Sequence, residues 1–574
     1  MGELVVVILG VVIVAVVTAL GRRLNIAGPL VLVAIGLLLA ALPFVPDIPP
    51  IDPEWILVGV LPPLLYSSAV QLPAIEFRRD FRPIAGLSVL LVVGSAVLLG
   101  IFFTWVIPGL SLPVGIALGA ILSPTDAVAT SIVKRVGISP RVVTLLEGES
   151  LLNDATALVL LRTATVAVAS GFAFADAVGT FVWGVLIAIV MGAVVGFVNL
   201  RLRAWVANSA ANTAISFTVP FIAYLPTEYL GGSGLVAAVV AGIVTGQGAA
   251  RFFTPDQRLS DEINWRTIEL VLEGGVFLIM GLELTDVVSK NLTEHDGLWH
   301  GTWLAFASLG IILLVRAVYV SFIIWRQGRR ARRYDAVDFD RMNERIDDVE
   351  AGRIPPRGSS DPARMTARLA MVRRRMQRMS ADLDYYRASP LGWKHGTVIV
   401  WAGMRGVVTL AAAQTLPANT EHRPLLIFVA FMVAIISLLL QGFTLPGLVR
   451  LLRIPPTAAG PTPEEQLRLD AELRTAAVTS LGDPALVRRD GSTFSPHLVD
   501  TVGLRMAQPP DDESTATARE MLELRLALIE TMRRRLIEVG RTGTFSTAAL
   551  RHALAELDAD QLSLELRLTD DDIE

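Results

Sequence analysis

The chain has 574 residues, 53% of them hydrophobic and 18% charged, with a formal net charge of -4. A soluble domain is clearly more polar, so the composition selects a membrane protein. With no cysteine present, disulfides, thiolate metal sites and cysteine nucleophiles are excluded. No basic stripe suited to nucleic acid is evident.

Apolar runs of about 20 residues recur along the chain, each enough to span a hydrocarbon core of about 30 Å. They are continuously apolar rather than alternating, which excludes an outer-membrane barrel. About thirteen spans meet the length criterion, at 4–20, 27–44, 55–72, 84–107, 112–135, 142–169, 174–199, 210–226, 232–248, 264–285, 301–325, 394–415 and 424–452. The first lacks a basic leader, and Arg22 and Arg23 follow it. It therefore reads as a retained span rather than a signal peptide.

The loops alternate in charge. Arg78, Arg79 and Arg82, then Lys134, Arg135 and Arg141, then Arg201 and Arg203, then Arg251 and Arg258 share a side with Arg22. The loops at 46–54, 171–176 and 227–234 carry no Lys or Arg. The asymmetry predicts an outside N-terminus and a cytoplasmic C-terminus in a plasma (inner) membrane.

Two polar regions interrupt this pattern. Residues 327–393 form a cytoplasmic insertion between spans, within a transmembrane domain at 1–452. Its stretch 363–379 reads as a basic amphipathic helix. Residues 453–574 form a cytoplasmic region, with a turn-rich linker at 456–466 and a helical pattern over 517–543 that ends at Gly540 and Gly543. This tail is expected to be a helical regulatory or assembly module.

Three clusters carry the chemistry. In ILSPTDAVAT (121–130), Pro124 cannot donate a backbone hydrogen bond and disfavours helix at Ser123. With Asp126 two residues on, this predicts a broken helix whose freed carbonyls, such as that of Thr125, face a cation. The next span holds Glu149, Ser150, Asn153 and Asp154. Ser150 and Asp154 are four apart and share a helix face. A carboxylate in such a span costs about 2.5–3.5 kcal/mol even on a lenient scale, and so marks an ion or proton site. Oxygen ligands of this kind suit a hard monovalent cation and not zinc. The third cluster is VIVWAGMRGVVTL (398–410), where Gly403 and Gly406 flank Arg405. Two interrupted spans far apart in sequence predict inverted repeats with crossing breaks. Glu149, Glu273 and Arg316 are expected to form structural ion pairs, with Glu273 reaching Arg316 or Arg405.

The ordered set LSPTDAVAT, GESLLNDATALV, LEGGVFLIMGLEL and WAGMRGVVTL resembles the monovalent cation:proton antiporters of the sodium/proton exchanger branch, over about residues 1–452. LPPLLYSSAVQLP and YLGGSGLVAAVVAGIVTG fit the same resemblance. It implies an all-α polytopic dimer with a core of two crossing broken helices and an elevator-like motion. It implies no enzyme and no cofactor, with sodium (or lithium or potassium) and protons as transported partners and lipid around them. Asp154 would bind sodium or a proton in turn. Ser150, Asn153 and Thr125 would be co-ligands, and Asp126 and Arg405 would balance the helix ends. The Asn153–Asp154 pair resembles electroneutral members, one cation for one proton. Ser67 stands where many relatives carry an acid.

Rival readings are a potassium/proton antiporter with the same mechanism, a channel or cation sensor on the same fold, and an intramembrane aspartyl protease using Asp126 and Asp154. The protease reading lacks a Gly-x-Gly-Asp setting and leaves the second break unused.

Overall fold

The computed structural model describes residues 2–24, 28–42, 53–126, 128–170, 174–206, 208–293, 298–331, 389–417 and 419–455. Between 332 and 388 it describes positions 371, 382, 385 and 386, and in the tail chiefly 475–483, 492–507 and 559–565. Most of the basic helix expected at 363–379, and most of 517–543, lie outside the described residues. The chain divides into a unit over 1–456 and a second over 457–574.

The described part of the first unit is helical. In chain order it contains α1 Gly2–Leu24, α2 Gly28–Ala40, α3 Trp55–Gln71, α4 Ala74–Arg79, α5 Phe81–Val106, α6 Leu112–Leu122, α7 Val128–Val136 and α8 Pro140–Ser170. It continues with α9 Phe174–Trp205, α10 Ser209–Tyr229, α11 Gly234–Phe252, α12 Pro255–Thr293, α13 Leu298–Ala331, α14 Trp393–Trp401, α15 Val407–Gln414 and α16 Arg423–Leu451. The described tail includes α17, Pro496–Ala507.

Six of these helices are long and apolar enough to cross a membrane: α5, α8, α9, α11, α13 and α16. Their outward surfaces agree with that. Val182, Trp183, Leu186 and Val190 on α9, and Phe306, Leu314 and Val318 on α13, are exposed. Apolar faces of this extent are a liability in water and ordinary against lipid. The apolar window of α16 is 78% buried and that of α9 is 22% buried, so α16 runs through the interior and α9 along the rim.

The helices pack as two groups. α1, α2, α3, α9, α10, α11 and α12 form one, and α5 to α8 with α13 to α16 form the other; contacts are denser within each than between them. Small residues set the close approaches in the first group. A Cβ on Gly281 of α12 would run into the Val33 carbonyl, and one on Gly36 of α2 into the Leu278 carbonyl. Gly242 and Gly246, four apart on α11, give the same clearance to Tyr66 and Val70 of α3. Without a hydrophobic drive between helices in lipid, such backbone proximity is what holds them together.

α12 is longer than the apolar run 264–285 implies. Its start is a capping box: Gln257 Oε1 accepts from the Thr254 amide at 3.1 Å, and Thr254 Oγ1 accepts from the Gln257 amide at 3.4 Å. Pro255 occupies the first helical position, where its missing N–H costs nothing. Helix propensity thus carries the chain past the bilayer-length segment that hydropathy detects.

The end of the polar stretch is tied to the second group. Arg141, at the start of α8 and 3% exposed, donates to both oxygens of Asp80 at 2.9 and 2.8 Å and to the Ser389 carbonyl at 2.8 Å. Its guanidinium also lies 4.7 Å from the Tyr386 ring centroid. Burial, and then the Asp80 charge, push the Tyr385 hydroxyl above its ordinary range, so it remains a donor, to Asp80 Oδ2 at 3.2 Å. Arg79 meets Asp382 at 2.7 Å.

Gly281→Leu is expected to destabilise the unit by about 1–3 kcal/mol through overpacking at the α2 crossing. A lowered melting temperature in detergent, relative to a substitution on the exposed face of α9, checks this.

Candidate cation site

α6 stops at Leu122, two residues before Pro124, and α7 starts at Val128. α14 stops at Trp401, and α15 starts at Val407. The two breaks touch: the Asp126 amide donates to the Met404 carbonyl at 2.7 Å. Gly403 and Gly406 are what let them meet. A Cβ on Gly403 would enter the Arg316 guanidinium, and one on Gly406 would enter the Asp126 carboxylate.

The charges fit the helix ends. Asp126 Oδ1 accepts from the Val128 amide at 3.1 Å, at the start of α7. Arg405, 2% exposed, donates from Nε to the Leu122 carbonyl at 3.0 Å, at the end of α6, and from a terminal nitrogen to the Gly403 carbonyl. Helix N-termini favour anions and C-termini favour cations, so the first break carries a counter-charge at both of its ends. The Arg405 amide donates to Ser437 Oγ of α16 at 3.0 Å.

α8 lays its polar face against the first break. Ser150 Oγ donates to the Thr125 carbonyl at 2.8 Å, and Asn153 Nδ2 donates to Thr125 Oγ1 at 2.6 Å. Asp154 is 7% exposed. Its Oδ1 and the Asn153 Oδ1 are buried with no hydrogen-bond partner. A buried carboxylate with an orphaned oxygen is several kcal/mol out of balance until a cation or a proton arrives. The acceptors present, carboxylate, amide, hydroxyl and carbonyl oxygens, match a hard cation.

One sequence expectation is corrected. Arg316 does not pair with Glu273. Both its terminal nitrogens go to Glu149, NH2 to Oε2 at 2.8 Å, and its Nε goes to the Ile399 carbonyl at 3.0 Å. Glu149 and Arg316 are each 1% exposed and belong to one helix group, whereas Glu273 stands on α12 in the other. Arg405 is occupied by carbonyls.

Two residues were not foreseen. Ser437 holds the second break, and nothing in its apolar span marked it. Glu269 meets Ser67 Oγ at 3.4 Å and Gln71 Nε2 at 3.2 Å. A carboxylate from α12 therefore stands against the very place where the sequence lacks one. Glu269 and Glu273 are four apart and share one face of α12, a spacing that could have pointed to it.

The six membrane-length apolar helices define a multi-pass membrane protein. The chain belongs to the sodium/hydrogen exchanger family, whose transmembrane model matches residues 11–342 and 366–451. It is 29% identical to an uncharacterised Na+/H+ exchanger of Mycobacterium tuberculosis, over 98% of this chain and 96% of that one. It is 39% identical to an uncharacterised Na+/H+ exchanger of Escherichia coli, over 47% of this chain and 50% of that one. A Bacillus subtilis sodium, potassium, lithium and rubidium/H+ antiporter is 33% identical over 46% of this chain and 40% of its own length. Among solved structures, the sodium proton antiporter MjNhaP1 of Methanocaldococcus jannaschii aligns with a TM-score of 0.55 and 17% identity, covering 79% of this chain and all of that chain.

Glu149→Gln is expected to leave the Arg316 charge buried and half-satisfied, at a cost of about 3–5 kcal/mol. A fall in detergent melting temperature larger than that of Glu269→Gln checks it.

Proposed function

We propose that the chain is a secondary antiporter that exchanges one sodium ion for one proton at Asp154. The carrying observation is the orphaned, buried Asp154 Oδ1 beside the equally orphaned Asn153 Oδ1. Sodium would be held by Asp154 with the Ser150 hydroxyl, Asn153 Oδ1 and Thr125 oxygens. A proton on Asp154 removes the charge that holds the ion, so the two cargoes compete. Asp126 and Arg405 keep the broken ends neutral whichever cargo is bound. Glu149 and Arg316 fix the face of α8 behind the site. Glu273, which pairs with neither Arg316 nor Arg405, is outside this machinery.

The division into two helix groups supports an elevator-type movement, in which the group holding the breaks carries the site past the group holding α1 and α12. About thirteen spans as inverted repeats, an outside N-terminus, a cytoplasmic tail and a homodimer in the plasma membrane complete this reading. The insertion within 327–393 and the region 453–574 are its cytoplasmic parts. The breadth of the Bacillus subtilis relative's named cations favours a site that also takes potassium or lithium. No cofactor enters the scheme.

Asp154→Asn should abolish sodium-driven proton movement in everted vesicles while the protein still elutes and melts as the parent does. Retained dye dequenching on sodium addition would refute the assignment. In proteoliposomes, half-saturating sodium should rise as pH falls while the maximal rate holds, and exchange should proceed without generating a membrane potential. A potential built up by sodium addition alone would rule out one-for-one exchange.

A further inference from the structure

Two ion pairs of the group that holds the breaks are dry, while a third, Lys134–Glu147, is exposed by 58% and 24%. Arg316–Glu149 is 1% exposed on both sides, and Arg141–Asp80 is 3% and 1% exposed. Two polar bonds join the two groups, and what sets them apart is that each crosses from one group to the other. Arg162, on α8 two turns beyond Asp154, donates to Glu228 Oε2 of α10 at 2.6 Å. Its exposure is 52% and that of Glu228 is 32%. Glu228 is fixed from its own side, because its Oε1 accepts from the Gly234 amide at the start of α11 at 2.9 Å. The turn between them relies on Gly231 at φ 76°, a left-handed conformation that favours glycine.

A second bridge lies between α15 and α12. Gln414 Nε2 donates to Glu283 Oε2 at 2.5 Å. Arg423 holds the end of α15 in place, through the Gln414 carbonyl at 2.9 Å and the Leu416 carbonyl at 2.8 Å. Arg162 lies on α8 about 12 Å from Asp154, on the side away from Arg141. Gln414 ends the half-helix that begins at the second break. Each bridge therefore starts on an element that leaves the site and ends on the opposite group.

We propose that Arg162–Glu228 and Gln414–Glu283 form the gate at this end of the molecule. They clamp the two groups while the site is served from the other end, and both part in every exchange cycle. This rests on the two-group antiport reading above. An exposed ion pair contributes only about 0.2–1 kcal/mol, so water can replace it cheaply. Buried pairs cost several kcal/mol to separate, and they lie inside a group, where no separation is needed.

Because the chain is cysteine-free, R162C/E228C carries the only two thiols. The full-length variant in proteoliposomes, bridged by a short bis-methanethiosulfonate, should lose exchange by about tenfold or more, equivalent to about 1.4 kcal/mol on the barrier. Reduction should restore it. Q414C/E283C gives the same readout at the second bridge if the first variant folds poorly. Full cross-linking with an unchanged rate at either position overturns the gate. Absence of sodium-driven proton exchange in the unsubstituted protein overturns the antiport reading itself, and the gate with it.

Discussion

The rest of the structure depends on one backbone contact, the Asp126 amide on the Met404 carbonyl, where two interrupted helices meet inside the unit. Unwound backbone in an apolar medium is tolerated only when its polar groups are satisfied by protein or face a wet cavity. Asp126 answers the amides at the start of α7, Arg405 answers the carbonyls at the end of α6, and Ser437 takes the Arg405 amide. Asn153 Oδ1 and Asp154 Oδ1, facing Thr125, remain buried without a hydrogen-bond partner, as do Thr130 Oγ1 on α7, Thr409 Oγ1 on α15 and the Gln441 amide on α16. Of these, Asp154 Oδ1 is the one on a carboxylate, the acceptor a cation or a proton satisfies best.

The buried Arg316 plays a supporting part on the far side of α8. Its guanidinium is spread over Glu149 and the Ile399 carbonyl in the last turn of α14. It joins the helix that carries Asp154 to the half-helix that leads into the second break. A small cavity lined by Ser95, Ser123, Glu149, Asn153, Arg316 and Arg405 sits between these groups. Fixed charges around it leave little freedom for the face that presents Ser150, Asn153 and Asp154.

Much of this was legible in the chain. Pro124 before Asp126, and Gly403 and Gly406 around Arg405, marked both breaks, because proline and glycine act through backbone rules that hold locally. The Ser150–Asp154 face followed from helical spacing. The partner of Arg316 did not, because pairing buried charges needs to know which helices are neighbours. Glu149 and Glu273 look alike in sequence, and only packing separates them into different groups. Ser437 was hidden for the reverse reason: a lone hydroxyl in an apolar run usually bonds its own helix, as it also does here to Ala434. The length of α12 was hidden because a capping box, Thr254 to Gln257, speaks of helix and not of bilayer.

The knot around Arg141 has a mechanical consequence. Asp80, Ser389 and the rings of Tyr385 and Tyr386 all grip one guanidinium at the foot of α8, the rod that bears Asp154 at mid-length. Displacing Tyr385, Tyr386 and Ser389 would strip two ring contacts and one carbonyl bond from that guanidinium and leave it paired to Asp80. Positions 385, 386 and 389, about 240 residues further along the chain, are thereby fastened to the first turn of the helix that carries Asp154.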